Sequence, residues 1–281
     1  MLADASIEGG FAVCGVSGGV DSAVAAVLAH QAFGERMTAI YVETGLMREG
    51  ESAAVQETFE RLGIPLRVAD RAESVLAGLR GKQTMREKRE VVVACLHEEM
   101  IRQTEAIPGA KTLVMGTNYS DFLGGANNAV WQDCGMAVLE PLALLFREEV
   151  RAIAETLGMD SSIVQRKPFP LMGLGARIIG EVTPEKLAAL RKADAIFSGE
   201  IREAGLNKKL YKYFPIMVDA QKETSTIILR AVTISGAMLV PARLPYDLVE
   251  RTVERILETT PTVRRVFYDQ TPTPIGKETF Q

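Results

Sequence analysis

Cysteine and histidine are scarce in this chain. Its three cysteines, Cys14, Cys95 and Cys134, are widely spaced, and His30 and His97 are its two histidines. These five residues include no CxxC redox pair and cannot supply the ligand set of a zinc finger. A structural zinc site is therefore excluded.

Long apolar runs and a strong net charge are also missing. The apolar run at 23–29 is far shorter than the roughly 20 residues that span a bilayer, and the first residues lack the basic and then apolar build of a secretory signal. With 32 basic and 36 acidic residues the formal charge is -4, so nothing global recruits the chain to nucleic acid or to an anionic membrane. We therefore expect a cytoplasmic protein with neither a membrane nor a nucleic acid as its partner.

The residues that are present are typical of a folded α/β protein. Hydrophobic residues make up 47% and charged residues 24% of its 281 residues, which is enough for one large domain or two of moderate size. Apolar strands alternate with helical patterns in the first half, and this predicts a doubly wound parallel sheet covered on both faces. The predicted strands are 11–16, 37–42, 65–69 and 112–116, and the predicted helices are 22–33, 51–62, 87–103 and 146–157.

A break in regular structure separates this half from the rest of the chain. Residues 167–175, KPFPLMGLG, contain two prolines and two glycines, which interrupt helices and strands. We therefore expect one domain at 1–170 and a second domain at 171–281. The second is predicted to be a smaller α+β domain, with helices at 184–204 and 246–257 and strands at 213–218, 225–232 and 263–268.

The most informative segment lies between the first predicted strand and the first predicted helix. Residues 15–22, GVSGGVDS, form what we call the glycine-rich loop. Its paired glycines let the backbone approach a ligand, its serine hydroxyls can donate hydrogen bonds, and the amides at a helix start attract an anion. Parallel sheets also bind their ligands at the carboxyl ends of strands. The loop therefore predicts phosphate binding, and Asp21 indicates a bridging Mg²⁺ ion, because a bare phosphate would repel this carboxylate.

Two other interpretations fit parts of the loop. A glycine-rich turn from strand to helix, with Asp21 as a helix-start residue, needs no ligand. The spacing G-x-S-x-G also matches the nucleophile elbow of α/β-hydrolases, but that fold needs a histidine after its acid, and none follows His97. A Walker A loop is excluded, since the segment contains no G-x-x-x-x-G-K-[ST].

The loop and several later segments together resemble one family. SGGVDS resembles the PP-loop of the ATP pyrophosphatases, and VETGLMR at 42–48 is similar to a VDTGLLR stretch of GMP synthetases. Further segments resemble the GMP synthetase family in the same order: GTNYSD at 116–121, LEPL at 139–142, FREEV at 146–150, RKPFP at 166–170, RKADAIF at 191–197, LRAV at 229–232 and LPYD at 244–247. Over nearly its whole length the chain is thus similar to the ATP pyrophosphatase and dimerisation portion of these enzymes.

The resemblance implies a fold like that of the adenine nucleotide alpha hydrolases, with an ATP site and Mg²⁺. The residues implied for the phosphates, and later for pyrophosphate, are Ser17, Gly18, Gly19, Asp21 and Ser22, with Asp21 as the metal ligand. The other residues implied for the nucleotide are Val16, Val42, Glu43 and Leu46, which would line the adenosine pocket, together with Gly116 and Thr117. Glu43 stands where the family mostly has aspartate, and an ordinary polar residue at a strand end is also compatible with this position.

The implied reaction is adenylation of a carbonyl oxygen on a purine nucleotide, XMP or a related acceptor, followed by release of pyrophosphate and amination by ammonia. Such an enzyme acts by positioning and charge neutralisation and needs no side-chain nucleophile. The implied catalytic residues are Asp21, Lys88 and Arg89. The last two belong to TMREKRE at 84–90, which resembles a DPExKRK lid but lacks its Asp-Pro. A charged run at a helix start is equally typical of a solvated face.

The segments implied for the acceptor depart from the family. Between Asp121 and Glu140 the chain lacks the family's SHHNVGG insertion, and its C-terminus lacks KPPATIEWE. The acceptor is therefore either a different molecule or is bound by other residues. The candidates are Asp121, Trp131, Arg251, Arg255 and Lys277. The two arginines also fit the alternative of exposed charges on a helix.

Two other functions remain open, and the source of ammonia is a separate question. Cys134 would be the catalytic thiol of a PP-loop sulfurtransferase acting on tRNA or a small molecule, although most single cysteines are small fillers. A non-catalytic ATP-binding paralogue fits the altered lid. Complete glutamine-dependent GMP synthetases carry an amidotransferase domain for which this chain has no room. We therefore expect ammonia from solution or from a separate glutaminase subunit, and a homodimer formed through the C-terminal domain.

Overall fold

The computed structural model of the chain describes residues 9–123, 135–219 and 224–275. The chain divides into two compact units. The first unit consists of Met1–Gly45, Gly50–Ala72 and Val93–Arg166, and the second of Leu46–Glu49, Glu73–Val92 and Lys167–Gln281. Two short pieces from the first half of the chain therefore cluster with the residues that follow Arg166.

A parallel sheet forms the centre of the first unit. Within the described residues it has five strands in the order β3-β2-β1-β4-β5, and every neighbouring pair is parallel. The strands are β1 (Phe11–Val16), β2 (Met37–Glu43), β3 (Leu66–Asp70), β4 (Ala110–Val114) and β5 (Ala137–Leu139). The helices of this half of the chain are α1 (Val20–Phe33), α2 (Glu51–Arg61), α3 (Ala72–Gly78), α4 (Met85–Glu105), α5 (Tyr119–Leu123), α6 (Arg147–Thr156) and α7 (Ser161–Val164).

Side chains of β1 alternate between two separate cores. Ala12 and Cys14 pack in the core that includes α1 and Val150 of α6, whereas Val13 packs with Met100 of α4. Helices therefore cover both faces of the sheet, which is why its central strands are apolar on both sides. The predicted doubly wound parallel sheet is confirmed.

The strand order reverses next to β1, since β2 and β3 lie on one side of it and β4 and β5 on the other. Ligands of such sheets bind at this switch point, beyond the carboxyl ends of the strands. The glycine-rich loop leaves β1 there. Helix α1 begins at Val20, earlier than predicted, so that Asp21 and Ser22 lie in its first turn.

The second unit is built on a smaller, mainly antiparallel sheet. Its strands pair in the order β10-β8-β7-β6, and β9 pairs with β7 in parallel. The elements are α8 (Pro184–Glu203), β6 (Lys212–Asp219), β7 (Ser225–Ser235), β8 (Met238–Pro241), α9 (Tyr246–Thr259), β9 (Val263–Tyr268) and β10 (Thr273–Pro274). The chain also contains a 3₁₀ turn at Gly34–Arg36 in the first unit and another at Gly173–Arg177 in the second. The predicted smaller α+β part is confirmed.

Six short helices and strands of the described residues are not predicted from the sequence, namely α3, α5, α7, β5, β8 and β10. Each is too short for a hydrophobic period to appear in the sequence. In the described parts of the chain, no helix combines the length and the apolar character that crossing a membrane requires. Cys14 and Cys95 are buried free thiols, and Cys134 lies outside the described residues.

Glu99 is a buried carboxylate of the first unit. Its Oε2 accepts a hydrogen bond from Arg102 Nε at 2.9 Å, and its Oε1 accepts one from Gln103 Nε2 at 2.7 Å. Arg71 Nε lies 3.7 Å from Oε2. The hydrogen bond from Arg102 lowers the pKa of Glu99, although burial acts in the opposite direction.

We expect Glu99→Gln to lower the free energy of unfolding by about 2 kcal/mol at neutral pH, the scale of hydrogen bonds to a charged group. Because the folded pKa of Glu99 lies below its ordinary 4.5, this stabilisation is fully present above pH 4.5 and is lost as the pH falls through the lowered value. Urea unfolding at neutral and acid pH measures the difference. Glu57→Gln, at an exposed partner of Arg61, is the matched control. If the difference in free energy of unfolding between the wild type and Glu99→Gln stayed the same at acid pH, the stabilising role of the Glu99 carboxylate would be contradicted.

Candidate functional site

The glycine-rich loop is held closed by two serines. The backbone N–H of Ser17 donates to Ser22 Oγ at 3.2 Å, and Ser22 Oγ donates to the carbonyl oxygen of Gly19 at 3.0 Å. The two hydroxyls lie 3.3 Å apart. Ser22 is buried while Ser17 is exposed. Ser22 is therefore the internal support of the loop, and Ser17 is the hydroxyl that faces solvent.

Glycine is required at two positions around the loop. Gly18 has φ +79°, and a Cβ there would lie 2.5 Å from Val55 Cγ2. A Cβ on Gly116, which follows β4, would lie 2.7 Å from the backbone nitrogen of Ser22. The end of β4 thus approaches the first turn of α1 at backbone distance, which no larger residue would allow.

Asp21 presents an unsatisfied oxygen beside the loop. Its Oδ1 is buried and has no hydrogen-bond partner. Burial raises the pKa of Asp21 above its ordinary value, and the negative charge of Asp121 adds to this rise. The positive charge of Arg147 and a hydrogen bond from the Asn118 side chain oppose it. A buried carboxylate oxygen without a partner is costly unless a ligand satisfies it.

The chemistry of Asp21 fits a Mg²⁺ ion. Carboxylate oxygens are preferred ligands of Mg²⁺, which commonly binds through one or two carboxylates, substrate phosphates and water. Among the described residues, no three His, Cys, Asp or Glu side chains come together as a metal-binding group. An ion at Asp21 would therefore take most of its ligands from phosphate and water.

Asp121 lies close to this charge cluster but is used by its own helix. Asn118 and Asp121 form a reciprocal cap of α5: the N–H of Asn118 donates to Asp121 Oδ2 at 3.2 Å, and the N–H of Asp121 donates to Asn118 Oδ1 at 3.1 Å. Arg147 also donates to Asp121 Oδ1 at 3.0 Å. Asn118 is fully buried, and its side chain lowers the pKa of Asp21 through a hydrogen bond. Asn118 and Arg147, which both act on Asp21, are candidate site residues that sequence reasoning did not name.

Glu43 lies at the end of β2 in a small hydrogen-bond network. Its Oε1 accepts from the N–H of Gly45 at 2.6 Å, and its Oε2 accepts from the hydroxyl of Ser52. The Ser52 hydroxyl lies 3.1 Å from the hydroxyl of Tyr41. Burial raises the pKa of Tyr41 to about 12. Val42, beside Glu43, is buried, so Glu43 is the polar group at this strand end.

Lys88 and Arg89 differ in their surroundings within the second unit. Lys88 is 1% exposed, and its Nζ donates to the carbonyl oxygen of Ile178 at 2.6 Å. Burial, together with the charge of Lys186, lowers the pKa of Lys88 to about 8. Arg89 is exposed. Action of Lys88 on ATP would require its ammonium to leave the Ile178 carbonyl.

The start of α4, just before this pair, has a structural use for its charge. The Glu87 carboxylate accepts from the N–H of Thr84 at 2.9 Å and from its hydroxyl at 2.7 Å. Glu87 thus caps the first turn of the helix.

Leu46, implied for the adenosine pocket, is fully buried in the second unit, where its carbonyl accepts from the N–H of Leu174 at 2.7 Å.

The arginines proposed for the acceptor are bound by one glutamate. Glu200 of α8 is 3% exposed. Its Oε2 lies 3.2 Å from Arg251 Nε, and its Oε1 lies 2.7 Å from Arg255 Nη1. Arg251 also pairs with Asp247 at 2.8 Å. Both arginines are half-exposed, and Lys277 and Trp131 lie outside the described residues.

A second arginine pair in the same unit was not foreseen. Arg177 Nη1 lies 2.8 Å from Asp194 Oδ1, and Arg48 Nε lies 3.0 Å from Asp194 Oδ2. The guanidinium of Arg177 lies over the ring of Phe169 at 5.0 Å and over that of Phe214 at 4.7 Å. Arg48, Phe169 and Asp194 belong to the resembling segments VETGLMR, RKPFP and RKADAIF, but no local pattern of the sequence joins them.

Comparison with known proteins agrees with the motifs. The family model of NAD synthase matches residues 5–174. A GMP synthase [glutamine-hydrolyzing] from Symbiobacterium thermophilum is 40% identical over 296 residues, which covers 96% of this chain and 57% of that protein. One subunit of a GMP synthase [glutamine-hydrolyzing] from Methanocaldococcus jannaschii is 39% identical, over 94% of this chain and 90% of that subunit.

A solved structure shows the same fold. NMN synthetase from Francisella tularensis aligns with a TM-score of 0.52 and 21% identity, over 62% of this chain and 73% of that chain. The chain spans 57% of the Symbiobacterium GMP synthase and 56% of another from Geobacillus kaustophilus. The glycine-rich loop, the sheet around it and these relatives together assign the chain to the GMP synthase-like ATP pyrophosphatases of the NAD synthase family.

Proposed function

We propose that the chain is an ATP-dependent synthetase that adenylates a carbonyl oxygen of XMP or a related purine nucleotide, releases pyrophosphate and aminates the activated carbon with ammonia. The observation that carries this proposal is the unpartnered Asp21 Oδ1 in the first turn of α1, beside the glycine-rich loop. The relatives named GMP synthase, among them the Methanocaldococcus subunit that this chain covers almost completely, support the acceptor class.

The loop is suited to the phosphates of ATP. The amides at the start of α1 attract an anion. The N–H of Gly19 donates to Ser17 Oγ across a long 3.4 Å, so it can exchange this contact for a phosphate oxygen. Arg147 and Arg151, whose charges both act on Asp21, would neutralise the negative charge of the leaving pyrophosphate.

Asp21 would hold the Mg²⁺ ion through Oδ1. When bound, Mg²⁺ neutralises phosphate charge. Val16 at the carboxyl end of β1, and Val42 and Glu43 at the carboxyl end of β2, would hold the adenosine. Gly116 and Thr117, which follow β4, would contact it as well. Leu46 remains part of this proposed pocket.

The chain's share of the chemistry is positioning and charge. The acceptor oxygen attacks the α-phosphorus, the bond to pyrophosphate breaks, and ammonia then displaces AMP from the acceptor carbon. Lys88 and Arg89 are proposed to act on the phosphates. No side chain has to form a covalent bond, so the buried Cys14 and Cys95 need no role in the reaction.

The acceptor site and the partners are further parts of this proposal. Asp121, Arg251, Arg255 and Lys277 remain candidates for the acceptor. We propose domains at 1–170 and 171–281, a homodimer through the second, a cytoplasmic location, and ammonia from solution or from a separate glutaminase subunit. The relatives' printed name, glutamine-hydrolyzing, supports such a partner. Sulfur transfer is not favoured, because these relatives are named as GMP synthases.

Incubation with ATP, Mg²⁺, ammonium and XMP is expected to yield AMP, pyrophosphate and GMP. Chromatography of the nucleotides and a coupled pyrophosphate assay measure the products. Release of pyrophosphate only with another acceptor would contradict XMP as the acceptor and would support an ATP-dependent synthetase with a different acceptor. Absence of ATP binding would contradict the enzyme itself.

Replacement of Asp21 by Asn is expected to lower turnover about 100-fold or more, the scale of removing one preorganised electrostatic group. The Mg²⁺ concentration for half-maximal pyrophosphate release should rise, because a neutral amide is a poorer ligand than a carboxylate. A Mg²⁺ titration measures both effects. Asp160→Asn, at a half-exposed acid that pairs with Arg61 at 3.5 Å, is the matched control. Equal Mg²⁺ dependence of the Asp21 variant and the wild type would rule out Asp21 as the ligand.

The lowered pKa of Lys88 predicts a stability change with pH. Unfolded Lys88 keeps its proton up to about pH 10.5, whereas the folded protein releases it near pH 8. Because the unfolded state then binds more protons, the wild type should gain stability relative to Lys88→Met as the pH rises from 8 to 10.5. Thermal unfolding of both proteins across this range measures the change.

The same variant tests the lid. Lys88→Met should lower pyrophosphate release about 10-fold or more if its ammonium acts on the phosphates, whereas Arg86→Met, at an exposed residue that pairs with Glu90 at 2.9 Å, should not. Wild-type turnover in Lys88→Met would show that Lys88 only supports the fold.

A further inference from the structure

We propose that Arg166 is the positioning residue that holds the glycine-rich loop in its phosphate-binding conformation. The inference rests on the proposed ATP-dependent function and adds a residue that the loop motif does not contain. Arg166 stands 148 positions after Gly18, so no local pattern of the sequence connects the two. Both residues belong to the first unit.

The guanidinium of Arg166 uses both terminal nitrogens to bind protein groups. Its Nη1 donates to the carbonyl oxygen of Gly18, and its Nη2 donates to Oε1 of Glu51. Glu51 is the first residue of α2 and is 7% exposed. Because a planar guanidinium fixed at two nitrogens has little freedom to turn, the direction of the donor to Gly18 is set.

The bond from Arg166 orients a carbonyl group of the loop, and this orientation affects the binding of phosphate. A carbonyl oxygen that faced a phosphate would repel it, while a backbone N–H attracts it. Arg166 holds the carbonyl of Gly18, and Ser22 Oγ holds that of Gly19 at 3.0 Å. Two successive carbonyls of the loop are therefore bound by donors, and each bond fixes the rotation of one peptide group.

Two side chains also crowd the loop at Gly18. A Cβ on this residue would lie 2.5 Å from Val55 of α2 and 3.0 Å from Arg166 Nη1. Arg166 is fixed in turn, since its carbonyl oxygen accepts from Arg151 Nη2 at 3.3 Å. Removal of the Arg166 side chain would therefore release the Gly18 carbonyl and one of the two groups that crowd Gly18, while Val55 of α2 stays in place.

Arg166 acts by orienting the loop backbone rather than through its charge, because its charge is neutralised locally. The buried carboxylate of Glu51 pairs with the guanidinium, so Arg166 adds little net positive charge to the site. Arg147 and Arg151 act on the charge of Asp21, whereas Arg166 acts on the backbone. Loss of Arg166 should therefore loosen the loop even when no ligand is present, which separates positioning from direct binding of phosphate.

Backbone hydrogen exchange tests this in the ligand-free protein. In Arg166→Ala, the peptide that covers 15–22 should exchange about 10- to 100-fold faster than in the wild type, the factor that a hydrogen bond to a charged group contributes. Peptides of β2 and α6 should not change. Arg166→Lys keeps one donor for the Gly18 carbonyl and should be intermediate. Arg61→Ala removes a half-exposed arginine that pairs with Asp160 and is the matched control.

Binding of Mg-ATP and of pyrophosphate by calorimetry gives the second measurement, and we expect both dissociation constants to rise about 10- to 100-fold in Arg166→Ala. Unchanged exchange of the loop would overturn the proposal, and so would faster exchange spread over the whole first unit. A wild type that binds no ATP would overturn the proposed function, while loop exchange in the ligand-free protein would still decide the role of Arg166.

Discussion

The β4 end approaches the first turn of α1, and Gly18 of the glycine-rich loop approaches Val55 of α2, at distances that exclude any side chain on either glycine. The proposed site depends on this close packing. A Cβ at Gly116 would lie 2.7 Å from the backbone of Ser22, and one at Gly18 would lie 2.5 Å from Val55. The parallel pairing of β1 with β4 at the reversal of strand order brings these segments together. Asp21 lies in this first turn of α1, and its Oδ1 is buried without a hydrogen-bond partner, which makes it the proposed ligand-binding atom.

Different residues set the charge of this site and the orientation of its backbone groups. Arg147 and Asp121 surround Asp21 and change its pKa in opposite senses, while burial raises it. Arg166 and Ser22 act on carbonyls of the loop. This division is suited to a reaction without a side-chain nucleophile, because preorganised charge and geometry are then the means by which a protein lowers the barrier.

The parts predictable from the sequence are those encoded by neighbouring residues. The bounds of β1 and β9 agree with the prediction, and the glycine-rich loop lies where its motif predicts. The bond from Arg166 to Glu51 joins residues 115 positions apart, which no local period reveals. The burial of Lys88 was equally hidden, since a charged run looks the same whether its lysine meets solvent or a distant carbonyl such as that of Ile178. Short elements such as α5 lacked the length for a pattern.

The shared carboxylate of Glu200 has an evolutionary consequence. Because Arg251 and Arg255 each bind a different oxygen of this one buried group, loss of either arginine leaves the carboxylate with one cation. The two positions are thus partly redundant, and their effects on stability should not add. Sequence drift can therefore alter one of them, and with it the surface that α9 presents, while the second arginine keeps Glu200 paired.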